Sequence, residues 1–122
     1  MSRRSTNGRT WHTLQGRAHR SELFRRGRRY RSNGLTIVSH PELASPDSKP
    51  AVMVIPARGH RLAVARNRSR RRGRALVDIR QQQIRRDARF ALILSPERRS
   101  WEEELTHFDR LLQRAGLFSE NS

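Results

Sequence analysis

The 122-residue sequence contains no cysteine. Disulfides, thiolate nucleophiles and zinc–thiolate sites are therefore excluded, and the chain is compatible with a reducing compartment. Negative charge is scarce: 11 Asp and Glu stand against 27 Lys and Arg, a formal net charge of +16. Lysine is almost missing as well, Lys49 being the one lysine among those cations. No apolar run approaches the ~20 residues that span a bilayer, and no apolar segment follows the N-terminal arginines, so neither a membrane span nor a secretory signal is expected. There is no glycine-rich phosphate loop. The five His residues, His12, His19, His40, His60 and His107, show no metal-ligand spacing, and no nucleophile–base pair stands out. We therefore expect no catalytic side chain, no protein metal site and no small-molecule substrate. With 34% hydrophobic and 6% aromatic residues, the core must be small.

What the chain has is arginine. A guanidinium binds phosphate through a planar fork and stacks on bases, so this set suits nucleic acid better than a merely solvated surface. The charge comes in blocks. Residues 1–31 carry ten Arg and one Glu, and residues 58–89 carry twelve Arg and two Asp. The stretches 32–57 and 90–122 are close to neutral, with net charges of −1 and −2. The alternation predicts one face for a polyanion and another for packing.

Residues 1–11 read as a disordered basic arm, 12–118 as one domain and 119–122 as a tail. The acid-free, Arg-, Ser- and Thr-rich start also has the composition of a mitochondrial transit peptide, against the cytoplasmic location otherwise expected. Leu14, Ala18 and Leu23-Phe24 recur at near-helical spacing, and Gly27 ends that helix. Leu35 to Val38, after the turn pair Asn33-Gly34, and Ala51 to Ile55 read as strands. Between them, 39–50 is a Pro- and Ser-rich loop. A further strand is expected over Phe90 to Leu94. A last helix begins at a capping box formed by Ser100 and Glu103, with Leu105, Phe108, Leu111, Leu112 and Ala115 as its apolar stripe.

The central helix, Leu62 to about Arg80, carries Arg66-Asn67-Arg68-Ser69-Arg70-Arg71-Arg72-Gly73-Arg74. At about 100° per residue, Arg66, Asn67, Arg70, Arg71 and Arg74 share one side, with Leu62, Ala65, Ser69, Leu76 and Ile79 opposite. Arg72 falls near the core side, where its stem would have to snorkel. Phosphates along an RNA backbone would relieve the mutual repulsion of these arginines. Asn67 can both donate and accept, as a base edge or a 2′-hydroxyl requires. A second block, Arg25-Arg26-Gly27-Arg28-Arg29-Tyr30-Arg31, follows Phe24. It interleaves rings with cations, a combination suited to unpaired nucleotides. The plainer alternatives are a solvated charged face for the helix, a core role for Phe24 and a rim role for Tyr30.

In this order and spacing the chain resembles the protein component of bacterial ribonuclease P. That family's signature is R-N-R-x-K-R-x-x-R, and residues 66–74 fit it with Arg70 in place of Lys. Ala63-Val64-Ala65 is similar to the apolar lead-in, and Leu14, Leu23, Phe24 and Gly27 fall where the family's first helix has its leucine, its apolar–Phe pair and its glycine. The resemblance implies an α+β fold: a small α-β-β-β-α-β-α sandwich with a left-handed β-α-β crossover. It implies that Arg66, Asn67, Arg68, Arg70, Arg71 and Arg74 bind a catalytic RNA. It also implies that Phe24, Arg20 and Arg58 border a cleft for the 5′ leader of precursor tRNA. Hydrolysis would depend on Mg²⁺ held mainly by the RNA. The chain departs from the family at Arg20 and Val38, where aromatic residues are usual. Ser69 and Gly73 replace apolar residues and are expected to anchor the helix poorly. A small ribosomal protein or general RNA chaperone would share the charge, and a self-sufficient nuclease would need a His or Glu at work.

Overall fold

Three apolar strands flanked by two polar edge strands build a mixed sheet, and three α-helices cover it. The structure, a computed structural model, describes residues 10–42 and 49–119. In chain order the elements are β1 (His12–Thr13), α1 (Arg17–Arg26), β2 (Arg28–Ser32), β3 (Leu35–Ser39), β4 (Ala51–Pro56), α2 (Ala63–Arg80), β5 (Arg89–Leu94) and α3 (Trp101–Arg114). The strand order across the sheet is β1-β4-β5-β3-β2. β4 and β5 are parallel neighbours joined through α2, and β2–β3 is an antiparallel hairpin. Its two-residue turn is Asn33-Gly34, both at positive φ (48° and 83°), the conformation that matches strand twist. The expected α-β-β-β-α-β-α order is thus present, with a two-residue strand added at the sheet edge.

Side chains alternate across the strands, so each strand serves two layers. Leu35, Ile37, Val52, Phe90, Leu92 and Leu94 face α2 and α3, where they meet Leu76, Val77, Phe108, Leu111 and Leu112. Burying such a side chain contributes roughly 1.5–3 kcal/mol, and this is the larger core. Val38, Ala51, Met53, Ile55 and Ala91 face α1, which adds Leu23 and the partly buried Phe24. The capping box on α3 is complete: Ser100 Oγ accepts from Glu103 N–H at 3.0 Å, and Glu103 Oε1 accepts from Ser100 N–H at 2.9 Å. That interaction with the Ser100 N–H holds the Glu103 carboxyl below its ordinary pKa.

Several sequence expectations change. The arm does not extend to residue 11. Trp11 is 2% exposed within the larger core, and its indole N–H donates to Asp78 at 2.7 Å. At the other end, Ser119 N–H reaches Gln83 C=O at 2.6 Å. Residues 1–9 of the arm, 43–48 of the proline-containing loop and 120–122 of the tail lie outside the described residues. β2 carries no apolar alternation because Arg29 and Arg31 occupy one of its faces.

The inner stripe of α2 is also rotated, by roughly 60° at 100° per residue. Gly73, Leu76 and Val77 are its buried residues, while Leu62 and Ile79, expected inside, are 68% and 51% exposed. Gly73 and Ser69 are points of attachment. A Cβ at position 73 would lie 2.5 Å from Val54 Cγ1 and 3.0 Å from Leu94 Cδ1, so the missing side chain lets the helix approach the sheet. Ser69 Oγ lies 2.7 Å from His60 Nε2.

Candidate nucleic-acid interface

The arginines divide by what holds them. Arg72 lies between α2 and α3, its Nε donating to Glu104 Oε1 at 2.6 Å, with its guanidinium 5.9 Å from the Trp101 ring centre. Arg80 pairs with both carboxylate oxygens of Asp109, at 2.6 and 2.8 Å. Arg85 pairs with Asp87, Arg89 with Glu22, and Arg99 with Glu104. These cations are structural. Glu104, one of three acids in the first turn of α3, is 2% exposed and ties α3 to α2.

The remaining arginines of α2 have no acidic partner among the described residues. Arg66 donates to the His60 carbonyl at 3.1 Å, and Arg70 to Asn67 Oδ1 at 3.1 Å. Arg68, Arg71 and Arg74 are exposed, as is Asn67. Arg66 and Arg70 therefore lie half-buried on one flank and Arg72 on the other, with Arg71 near the crest. All six residues expected to bind RNA stand on one helix, and Arg72, left out of that set, is the one held by a carboxylate.

The start of α2 adds to this polarity. Leu62 offers no side-chain cap, and no acid stands in the first turn, so nothing within that turn opposes the positive end of the helix dipole. His60 fixes that end. It is 8% exposed, with Nδ1 2.8 Å from the Ala57 carbonyl and Nε2 2.7 Å from Ser69 Oγ. The carbonyl accepts, so Nδ1 carries the proton and Ser69 donates to Nε2.

On the other side of the sheet, Phe24 packs at the edge of the smaller core with two guanidinium groups near its ring. Arg20 lies 5.6 Å and Arg29 5.3 Å from the centroid. Arg29 pairs across the sheet with Val38, and Arg31 with Thr36, so both arginines share the Phe24 face. Neither was singled out as a cleft residue from sequence. The period of two in Arg29-Tyr30-Arg31 was the available signal. Tyr30 accordingly goes to the opposite face and packs against the α3 core, so Phe24 and Tyr30, neighbours in the sequence pattern, do not form one stacking surface. Val38 is fully buried, with its Cγ1 2.4 Å from where a Cβ on Gly27 would be. Arg58 is exposed on the turn after β4, and the cations over the Phe24 ring are Arg20 and Arg29 instead.

α1 is held to this face more by charge than by apolar contact, since Leu23 is its one buried residue. Glu22 lies 3.3 Å from His40 Nε2 and 3.4 Å from Arg89, and Arg26 bonds Glu42 at 2.6 Å. His40 Nδ1 accepts from the Glu42 N–H at 3.0 Å, which leaves the ring proton on Nε2, facing Glu22. That interaction with His40, with Arg89 and Arg26 adding to it, holds the Glu22 carboxyl below its ordinary pKa; Arg26 does the same for Glu42.

The ribonuclease P family profile matches residues 9–116. This chain belongs to the ribonuclease P protein family. No curated protein matches it. Among solved structures it is similar to the Staphylococcus aureus RNase P protein (12% identity, TM-score 0.70, covering 88% of this chain and 97% of that one). A mutant of that protein with defective mRNA degradation activity gives a TM-score of 0.73 at 12% identity, covering 87% and 89%. The Thermotoga maritima RNase P protein gives 0.65 at 15% identity, covering 75% and 86%. The ribonuclease P fold is kept at an identity where few side chains are. Among the described residues of this ribonuclease P protein, no helix is long and apolar enough to cross a membrane.

Proposed function

We propose that this ribonuclease P protein binds the catalytic RNA through Arg66, Asn67, Arg68, Arg70, Arg71 and Arg74, and receives the 5′ leader of precursor tRNA beside Phe24. The observation that carries the reading is the division of the arginines. Carboxylates neutralise Arg72, Arg80, Arg85, Arg89 and Arg99, while Arg66, Arg68, Arg70, Arg71 and Arg74 have no such partner among the described residues. A repulsive set is kept on one helix, where phosphates would relieve it with counterion release.

On the opposite face, Phe24 offers a ring to a base, with Arg20 and Arg29 placed for the flanking phosphates; Arg58 would extend the track beyond β4. Two separated surfaces let one small protein hold the catalytic RNA and its substrate together, lowering the cost of bringing them into register. The reaction is hydrolysis of the phosphodiester that joins leader to mature tRNA. The protein's part is to bind and orient. The described residues bring no three His, Asp or Glu together in a metal-holding group, and the carboxylates near the arginines are already engaged. In this reading Mg²⁺ is held mainly by RNA phosphates. A cytoplasmic location follows from the same reading.

Reconstitution with the cognate RNA and precursor tRNA tests it. The protein should raise cleavage at near-physiological salt and favour precursor over mature tRNA. The double variant Arg66→Ala/Arg70→Ala should weaken RNA binding and flatten the slope of log K against log salt by about 1.8 for two lost phosphate contacts. Equal affinity for precursor and mature tRNA would point to a general RNA chaperone, and an unchanged slope would reject the phosphate assignment.

A further inference from the structure

A groove of about 580 Å³, within the range of small-ligand sites, runs between α2 and the β5–α3 loop. Arg68 and Arg72 line it from the helix, Arg98 and Arg99 from the loop, against Glu97 and Glu104. The two carboxylates do not neutralise the four cations evenly. Glu104 is taken up by Arg72 Nε at 2.6 Å and Arg99 Nη2 at 3.3 Å. Glu97, exposed at the loop, accepts from Ser95 Oγ at 3.3 Å. Arg68 and Arg98 are both exposed, and neither has an acidic partner among the described residues. The Arg99 side chain is 5% exposed and held by Ser95 Oγ at 2.8 Å, and its buried Nε has no hydrogen-bond acceptor among the described residues. The free groups are donors only. Their complement is a ligand rich in acceptors and negative charge, which describes a phosphate.

We propose that this groove is a second phosphate site, held by Arg68 and Arg98 with Arg99 beneath, and that it takes an RNA backbone. It rests on the RNA-binding reading above and deepens it. Arg68 stands about 200° around the helix from Arg66, so the groove lies on the flank away from Arg66 and Arg70. α2 then lies between two backbone segments, meeting one with Arg66 and Arg70 and the other with Arg68. Arg98 lies outside the nine-residue motif and is brought to it by the fold alone.

The test compares three variants of the full chain in RNA-binding titrations over a range of salt. Arg98→Ala removes a groove cation that supports no other contact. Arg86→Ala removes another exposed cation, outside the groove and without an acidic partner among the described residues, and controls for net charge. Glu97→Gln removes the groove's exposed acid. Arg98→Ala should reduce the salt slope by about 0.9 and the affinity about eightfold at 0.1 M salt, the effect of one lost phosphate contact. Arg86→Ala should do neither, and Glu97→Gln should tighten binding. Matching curves for Arg98→Ala and Arg86→Ala, with wild-type protein still binding RNA, overturn the groove while leaving the function intact. Wild-type protein that neither binds the RNA nor aids cleavage overturns both. Inorganic phosphate competing with a short RNA at comparable concentration would make this a free-anion site and overturn the backbone assignment.

Discussion

An alanine at position 73 would gain about 1 kcal/mol in helix propensity over glycine. Its Cβ would also stand 2.5 Å from Val54 Cγ1 and 3.0 Å from Leu94 Cδ1, inside contact distance of a branched side chain with little room to turn. Overpacking of this kind costs about 1–3 kcal/mol, so packing outweighs propensity and the glycine is what seats α2. Gly73→Ala should lower the midpoint of urea unfolding by the equivalent of about 1 kcal/mol. A midpoint that rises would show that the sheet gives way and that propensity decides. Ser69 follows the same logic: a polar residue on the inner side is tolerated because His60 is there to meet it, at 2.7 Å.

Among the elements, α1 and α3 are anchored by different forces. α3 buries Phe108, Leu111 and Leu112, so its ion pairs through Glu104 and Asp109 and its Glu103 cap add to an apolar attachment that remains without them. α1 buries Leu23 alone, has no side-chain cap, and relies on Glu22 and Arg26 for its ties to His40, Arg89 and Glu42. Glu22 and Glu42 both have pKa values lowered from 4.5 in the folded chain. For a carboxylate whose folded pKa is depressed, the stabilisation is fully present above the unfolded pKa and is lost as pH falls through the folded one. Amide exchange in α1 should therefore accelerate below about pH 4.5 before exchange in α3 does, with α1 loosening from the sheet first. Uniform acceleration of both helices would reject this. The Phe24 face would weaken with α1, because Phe24 rides on it.

For the whole molecule, a net charge of +16 on 122 residues disfavours compaction, and the pairings described above relieve part of it. A polyanion that binds only the folded chain would relieve more. At a hundredfold excess over its Kd, a short RNA would add about 2.7 kcal/mol. The thermal midpoint followed by circular dichroism in low salt should rise with RNA and fall back as chloride is added; a midpoint indifferent to RNA would mean that the free protein already balances its charge.

By itself the sequence determined the strands at 35–38, 51–55 and 90–94, the extent of α2, the capped start of α3 and the nine-residue arginine motif. Each is written in local terms: a hydrophobic period, a turn pair, a capping box, a run of one residue type. Only the tertiary structure decided which arginines are spent and which are free. That depends on carboxylates distant in the chain, such as Glu104 beside Arg72 and Asp109 beside Arg80. It also decided the rotation of α2, because a glycine that looks like a weakness by propensity becomes the point of closest approach once a sheet lies beneath it. Arg29 beside Phe24 and Arg98 beside Arg68 belong to the same class of fact. Their proximity is set by strand register and by a loop returning to a helix; the period of two around Tyr30 hints at the first, and no short spacing along the chain encodes the second.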